Sequence, residues 1–501
     1  MTIYNFNHGI GWASSGVEYA QAYRSNIFKR NKQDAQFIFT DLFLENIQPM
    51  TKNIGFDDNE IIWLYGYFTD VKISPTRFSR RDLEATFPKP ADKVEEGERQ
   101  MTYSFKDNNM RMTAFLDKKD KDKIYRTEIV IAGKLIQRDY YSYTKTFSEY
   151  FKPVNNQANI YQRRFFNENG SVAYDELING KESLYIFSDR TIYSKEALIQ
   201  YFVECLDLTA QDILIIDRST GMGPQIIRAS GPAKVGIVIH AEHFSESFTT
   251  EKKILWNNFY DYQFENTSVI DFFITATERQ KEVIEAQFKK YDKGEITIYT
   301  LPVGSIDELK KASVRKKNSL ITASRLAAEK HIDWQIKAVV EARKKIKDLT
   351  LDIYGYGGEG TALRQLIKDL GAESYICLMG QHDLTDVYKN YQTYVATSTS
   401  EGFGLTLLEA VGSGLGMIGF DVPYGNQTFI HPDQNGYLLD YDKNNRPKAV
   451  EDITQAIIAM QEKDEAELHL ISQSSYAIAK KYLTEEIQKM WLKLEQEVIK
   501  Q

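Results

Sequence analysis

Short, continuously apolar runs alternate with helical periodicity at both ends of this 501-residue chain. That rhythm limits the fold to parallel sheets whose strands are covered by helices on both faces. In the N-terminal part the runs are Ile3 to Phe6, Ala35 to Phe39, Ile213 to Ile216, Val235 to His240 and Asp271 to Ala276. In the C-terminal part they are Ser319 to Ala323, Thr350 to Tyr354, Tyr375 to Leu378 and Tyr391 to Thr397. The stretch Pro302-Val-Gly304 separates the two sets. The expected fold class is α/β, with two Rossmann-like lobes.

Residues 70–195 break the rhythm. Tyr and Phe become dense, and apolar and polar residues alternate. Arg111 to Leu116 is followed by a charged turn, Asp117 to Lys123, then Ile124 to Ile131, a Gly133 turn and Leu135 to Tyr143. Asn169-Gly170 and Asn179-Gly180 each lie between alternating segments, a strong hairpin signal. The segment reads as an antiparallel β-meander inserted into the first lobe. A dimerisation or stability appendage is the plain alternative. The expected boundaries are 1–69 and 196–302 for the first lobe, 70–195 for the insertion and 303–481 for the second lobe. A terminal helix, 482–501, carries Ile487, Met490, Trp491, Leu494 and Val498 on one stripe.

The chemistry concentrates at Thr399-Ser-Glu401-Gly-Phe-Gly-Leu-Thr-Leu-Leu-Glu409. Glu401 falls in a strand-to-helix loop, and Glu409 on the following helix about two turns away. The glycines let backbone approach a ligand, and a helix start offers free N–H groups to an anion. A second strand end, Ile321 to Lys330, carries Arg325 and Lys330. A guanidinium fork and a point charge beside a Gly-rich loop suit a diphosphate. Each element alone also occurs as a plain structural corner or a solvated face. Together they describe a site for a phosphorylated, hydroxyl-rich molecule.

Arg325, Lys330, Glu401 and Glu409 resemble the motif set of family 4 retaining glycosyltransferases, which have the two-lobed GT-B fold. Tyr354 to Gly358 and Leu378 to His382 stand where that family places its other donor-lobe loops. The resemblance implies that Glu401 holds the donor sugar and Glu409 the ribose. It implies that Gly402, Phe403 and Gly404 bond sugar hydroxyls through their backbone, and that Leu405 and Thr406 present N–H groups to the diphosphate. Gln381 and His382 fall where the family meets the base edge. Gly16, ending the loop His8 to Gly16, is placed to approach the diphosphate, while Ser14 and Ser15 need no role beyond the turn. His240 follows a buried strand and is read as contacting donor sugar or acceptor, with His243 three residues on. No enzyme nucleophile is visible opposite the sugar, so same-face attack with retention is expected. No cofactor and no metal are expected.

An inserted meander, together with Met1-Thr-Ile-Tyr-Asn-Phe-Asn and Gly9 to Glu18, narrows the resemblance to the catalytic subunits of bacterial accessory-secretion O-GlcNAc transferases. That implies UDP-GlcNAc as donor and a Ser/Thr-rich adhesin polypeptide as acceptor. It also implies a homologous non-catalytic subunit as partner, bound through the inserted β domain. A wall-teichoic-acid glycosyltransferase is the enzyme alternative, and a non-catalytic binding or chaperone subunit the alternative of another class. A formal net charge of −8 argues against nucleic-acid partners. Two cysteines in different segments, no basic leader and no long apolar run point to a cytoplasmic protein, at most peripheral to the inner membrane face.

Overall fold

The computed structural model describes residues 1–12, 15–311, 314–442 and 445–500. Ser14 of the first loop lies outside them. The chain divides into two compact units, Met1–Val238 with Asn258–Asp271, and Ile239–Asn257 with Phe272–Gln501.

In the first unit, parallel strands run in the order Ile61–Trp63, Ala35–Phe39, Ile3–Asn7, Ile213–Ile216, Lys234–Ile239. Ile3, Phe6, Phe37 and all four residues of Ile213–Ile216 are fully buried, as strands covered on both faces must be. The helix Gly16–Asn31 follows the first strand. Its Ser15 and Glu18 form a reciprocal capping box that satisfies orphan N–H groups at the helix start. Its inner face carries Arg24, whose two terminal nitrogens meet Asp217 at 2.9 and 2.7 Å in a nearly dry ion pair. Gln21 adds a bond to the same carboxylate at 2.8 Å, and Asn5 accepts from Arg24 at 2.9 Å. The buried charges are therefore paired and hydrogen-bonded, which keeps their desolvation tolerable.

Ten antiparallel strands from Lys93–Glu96 to Thr191–Ile192 pair strictly with their sequence neighbours. This is the meander expected from the alternation. Gly170 and Gly180 adopt φ of +81° and +65°, the left-handed conformation that the Asn-Gly turns require. A third tight turn, Asn155-Asn156 with φ of 50° and 61°, joins Lys145–Val154 to Gln157–Phe166. An aromatic ladder crosses the sheet. Tyr140 stacks on Phe147 at 4.3 Å, Phe165 on Tyr174 at 4.4 Å, and Tyr174 on Phe187 at 4.8 Å. It continues into the lobe, where Tyr65 stacks on Phe165 and accepts the Tyr174 hydroxyl at its carbonyl, 2.8 Å away.

The second unit holds a sheet of six parallel strands in the order Ile376–Gly380, Thr350–Tyr354, Ser319–Ala323, Thr393–Ala396, Gly416–Phe420, Gly436–Leu439. Helices Ile332–Ala342 and Arg446–Gln461 pack on one face, burying Trp334, Ile336, Ile453 and Ile457 against Leu351 and Ile418. On the terminal helix Thr484–Lys500, Ile487, Trp491, Leu494 and Val498 are buried, whereas Met490 is 37 % exposed. The stripe is therefore narrower than the sequence pattern suggested.

Candidate active site

Two strand ends of the second unit build the site. After Ser319–Ala323 the chain turns through Ser324 to Leu326 and is held by main-chain bonds, Ser324 N–H to Tyr354 O at 3.1 Å and Leu326 N–H to Tyr356 O at 2.9 Å. The contact is so close that a Cβ on Gly355 would lie 1.9 Å from the Ser324 carbonyl oxygen, and one on Gly357 would lie 2.3 Å from that of Leu326. Only glycine permits this approach. The loop then reaches Lys330. Thr397, at the end of Thr393–Ala396, donates from its hydroxyl to the Lys330 carbonyl at 2.8 Å and accepts from Gln335 Nε2 at 2.7 Å. The two loops are thereby fixed to each other.

Beyond Thr397 the chain carries Glu401 to Gly404 and enters the helix Leu405–Gly412. Glu401 is held by its backbone, its carbonyl accepting from the N–H groups of Tyr424 and Gly425 at 2.7 Å each. Gly404 caps the helix with φ of +87°, in the left-handed region. The Phe403 side chain is buried against Phe429 and Tyr482, so only its backbone is left for the loop. Leu405 and Thr406 open the helix, and their N–H groups have no carbonyl four residues earlier within it.

The predicted residues separate into groups. Lys330 Nζ donates to Glu401 Oε2 at 2.8 Å, and both side chains are largely buried, 14 % and 23 % exposed. Arg325 is elsewhere. Its side chain is 77 % exposed and pairs with Glu329 at 3.1 Å, four residues on. Gln381 and His382 are exposed, and His382 Nε2 is 2.8 Å from the Met379 carbonyl. His240 enters through its backbone, since a Cβ on Gly402 would lie 3.0 Å from the His240 carbonyl oxygen. Gly16 belongs to the first unit, as the first residue of its helix, and a Cβ there would meet nothing within 4 Å.

Glu409 is held in a low-polarity setting. Burial pushes its carboxyl up to about 7, with the Tyr388 hydroxyl favouring the charged form and Asp383 opposing it. At neutral pH it is poised between acceptor-only carboxylate and neutral acid.

A connection behind Glu401 was not visible in the sequence. His243, fully buried, sits with Nδ1 3.0 Å from the Tyr424 hydroxyl and Nε2 2.7 Å from Gln287 Oε1. The amide oxygen can only accept, so Nε2 carries the proton and Nδ1 accepts from Tyr424. Burial pushes the imidazole down to about 4. The Tyr424 N–H in turn holds the Glu401 carbonyl. His243→Phe is expected to lower stability by about 2–3 kcal/mol, since it strips both partners of a buried bond. Its acid limb should also flatten. The imidazole loses its preference for the folded state as pH falls from about 6.5 to about 4, and phenylalanine does not titrate. Chemical denaturation across that range checks both outcomes.

Family comparisons agree with this architecture. Residues 93–189 match the GtfA extended beta-sheet domain, and residues 305–474 match glycosyl transferases group 1. Over 506 residues the chain is 51 % identical to the GtfA subunit of the UDP-N-acetylglucosamine–peptide N-acetylglucosaminyltransferase of Streptococcus gordonii, covering 99 % of each. The chain belongs to the GtfA family. The pneumococcal O-GlcNAc transferase GtfA, solved in complex with UDP and GlcNAc, superposes with a TM-score of 0.90 at 48 % identity, covering 100 % of this chain and 99 % of that one. A chain of the GtfA/B complex superposes at 0.97 and 49 % identity, with complete coverage of both. The fold is GT-B, and the protein is a glycosyltransferase.

Proposed function

We propose that the protein transfers N-acetylglucosamine from UDP-GlcNAc to Ser and Thr of a serine-rich polypeptide, with retention and without a metal ion. The observation that carries this reading is the Lys330–Glu401 pair beside the start of Leu405–Gly412, in a chain related to GtfA subunits over its whole length. Bond cleavage at the anomeric carbon leaves negative charge on the departing diphosphate. Lys330 and the Leu405 and Thr406 N–H groups are fixed donors that can meet it without reorganising. Glu401 shares Lys330, and its carboxylate accepts sugar hydroxyls once the ammonium turns to phosphate. Glu409 takes the two ribose hydroxyls. The leaving phosphate removes the acceptor proton on the same face. Arg325, exposed and held by an i,i+4 pair with Glu329, can swing onto the diphosphate.

We assign the reaction to the cytoplasm, before the acceptor is exported. Both cysteines are free and exposed, which suits a reducing compartment. Among the described residues no helix is long and apolar enough to cross a membrane. Incubation with labelled UDP-GlcNAc, a partner subunit and chelator tests the reading, with either serine-rich peptide or ribitol-phosphate polymer as acceptor. Labelled peptide is expected. Labelled polymer instead, or a need for added divalent ion, would refute the corresponding part. The polymer is the weaker acceptor on charge grounds. Arg163 is tied to Glu149 and Glu176, and Arg164 to Asp175, so the positive charge of these two side chains is matched by carboxylates within the sheet.

The partner is assigned to the inserted sheet, where edge strands can add strands. Val94, 45 % exposed on the edge strand Lys93–Glu96, is the probe. Val94→Asp should weaken association with the partner tenfold or more while donor hydrolysis continues at the parent rate. Unchanged association would remove this edge from the interface.

A further inference from the structure

The helix Leu405–Gly412 begins without a side-chain cap. Its cap position is Gly404, which has no polar side chain to bond the N–H groups of the first turn. That leaves those donors to a ligand, but it also removes the usual fastening of a helix start. The helix is eight residues long, too short to hold its own first turn by cooperativity. The first turn needs another anchor.

Tyr394 supplies it. The residue stands on the strand Thr393–Ala396, all four residues of which are buried. A buried tyrosine needs a partner for its hydroxyl, and this one has two. The oxygen lies 3.0 Å from the Ala323 carbonyl and 2.9 Å from the Thr406 hydroxyl. A phenol has one proton, and a carbonyl can only accept. Tyr394 therefore donates to Ala323, and Thr406 donates to Tyr394. Thr406 is the second residue of the helix, so its hydroxyl proton is turned inward while its N–H remains the donor it can offer to a ligand. Ala323 ends the strand Ser319–Ala323, at the root of the loop that carries Arg325 and Lys330. One buried hydroxyl thus joins the roots of both segments that supply the donor groups.

We propose that Tyr394 is a positioning residue for the diphosphate: through Thr406 and Ala323 it holds the helix start and the Lys330 loop at one spacing. The place of the diphosphate rests on the proposed function, whereas the two bonds to Tyr394 do not. Binding then needs no ordering of either segment, which lowers its entropic cost. The tyrosine touches no ligand and acts only through its two partners. Its proton is secure. Burial pushes the phenol up to about 12, and the carboxylates of Glu401 and Glu409 act in the same direction. The link is therefore intact at every pH at which the protein works, unlike the carboxyl of Glu409, which burial brings to about 7.

The test titrates the full-length chain with UDP by calorimetry, and with uridine in competition. Tyr394→Phe removes the link and keeps the ring. Thr406→Val removes it from the other side and spares the bond to Ala323, so it decides the matter if the first variant folds poorly. Each should weaken UDP about tenfold, the scale of one hydrogen bond at a charged ligand, and leave uridine within about twofold. The double variant should be no weaker than either single one, because both remove the same link. Thr406→Ser returns the hydroxyl and should recover most of the loss seen in Thr406→Val. The ratio of parent to Tyr394→Phe affinity should be flat from about pH 6 to about pH 9. Unchanged UDP affinity in Thr406→Val overturns the proposal. So do additive losses in the double variant, or equal losses of UDP and uridine, which would mark a general loosening of the fold. ADP and GDP are run beside UDP. A parent that binds one of them and not UDP refutes the UDP donor, and the cycle is then read with that nucleotide and its nucleoside. A parent that binds none refutes both readings. Transfer to peptide is measured separately, and its failure with the cycle intact removes the acceptor reaction alone.

Discussion

Lys330→Ala is expected to lower transfer by about two to three orders of magnitude, the scale of removing one fixed transition-state donor. The geometry sharpens the expectation. The ammonium is largely buried and fixed 2.8 Å from Glu401. Its removal leaves a mostly buried carboxylate without its counter-charge, beside the place proposed for the diphosphate. Arg325→Ala should fall in the same direction but less steeply, because that side chain is exposed and must first leave Glu329. Steady-state rates at saturating UDP-GlcNAc separate the two variants. Lys330→Ala within tenfold of the parent turnover would remove Lys330 from the chemistry. Lys330→Arg tests geometry, since a planar fork does not replace a point charge in a tight site.

Glu409→Gln is expected to act in opposite directions on binding and on stability. The carboxyl is pushed up to about 7 by burial, so the folded state holds a proton that the unfolded state has already lost. Stability from this group is complete below its unfolded value near 4.5 and is lost as pH rises through about 7. At pH 8 the ligand-free glutamine variant should therefore be the more stable by roughly 2–3 kcal/mol. His243 runs the other way, with stability lost on acidification between about 6.5 and about 4. The two titrations partly offset in the parent, and each single variant should expose the other's slope. For the donor the sign reverses. A carboxylate accepts from both ribose hydroxyls, whereas a neutral acid or amide matches them poorly. The donor KM should rise as pH falls below about 7 in the parent, and be high and flat in the variant. A variant with parental KM at every pH would displace Glu409 from the ribose.

The strands of the second lobe could be read directly, because continuous apolar runs between helical segments have few other interpretations. The Asn-Gly hairpins were equally plain. The Asn155-Asn156 turn was not, because the residues beside it, Lys152, Pro153, Gln157 and Asn159, interrupt the alternation of apolar and polar positions. Residue types grouped Arg325, Lys330 and Glu401 as candidates for one site. They could not show that Lys330 alone meets Glu401, which depends on Thr397 fastening one loop to the other. The His243–Tyr424 bond spans 181 positions and has no periodicity to reveal it. Sequence pattern reports which face of an element is buried, but not which distant side chain completes a buried pair.

The position of the first strand has a consequence for how the chain matures. Ile3–Asn7 lies between Ala35–Phe39 and Ile213–Ile216, and the Thr2 N–H donates to the Asp212 carboxylate. During synthesis one flank of that strand stays open until residue 216 has left the ribosome. By then every strand of the meander has emerged, and each needs only its immediate neighbour. Local pairing is fast and long-range parallel pairing is slow. The meander should therefore form first, with its aromatic ladder waiting for Tyr65 and its neighbours. A pulse of hydrogen exchange during refolding would then protect Val172–Asn179 before Ile3–Asn7.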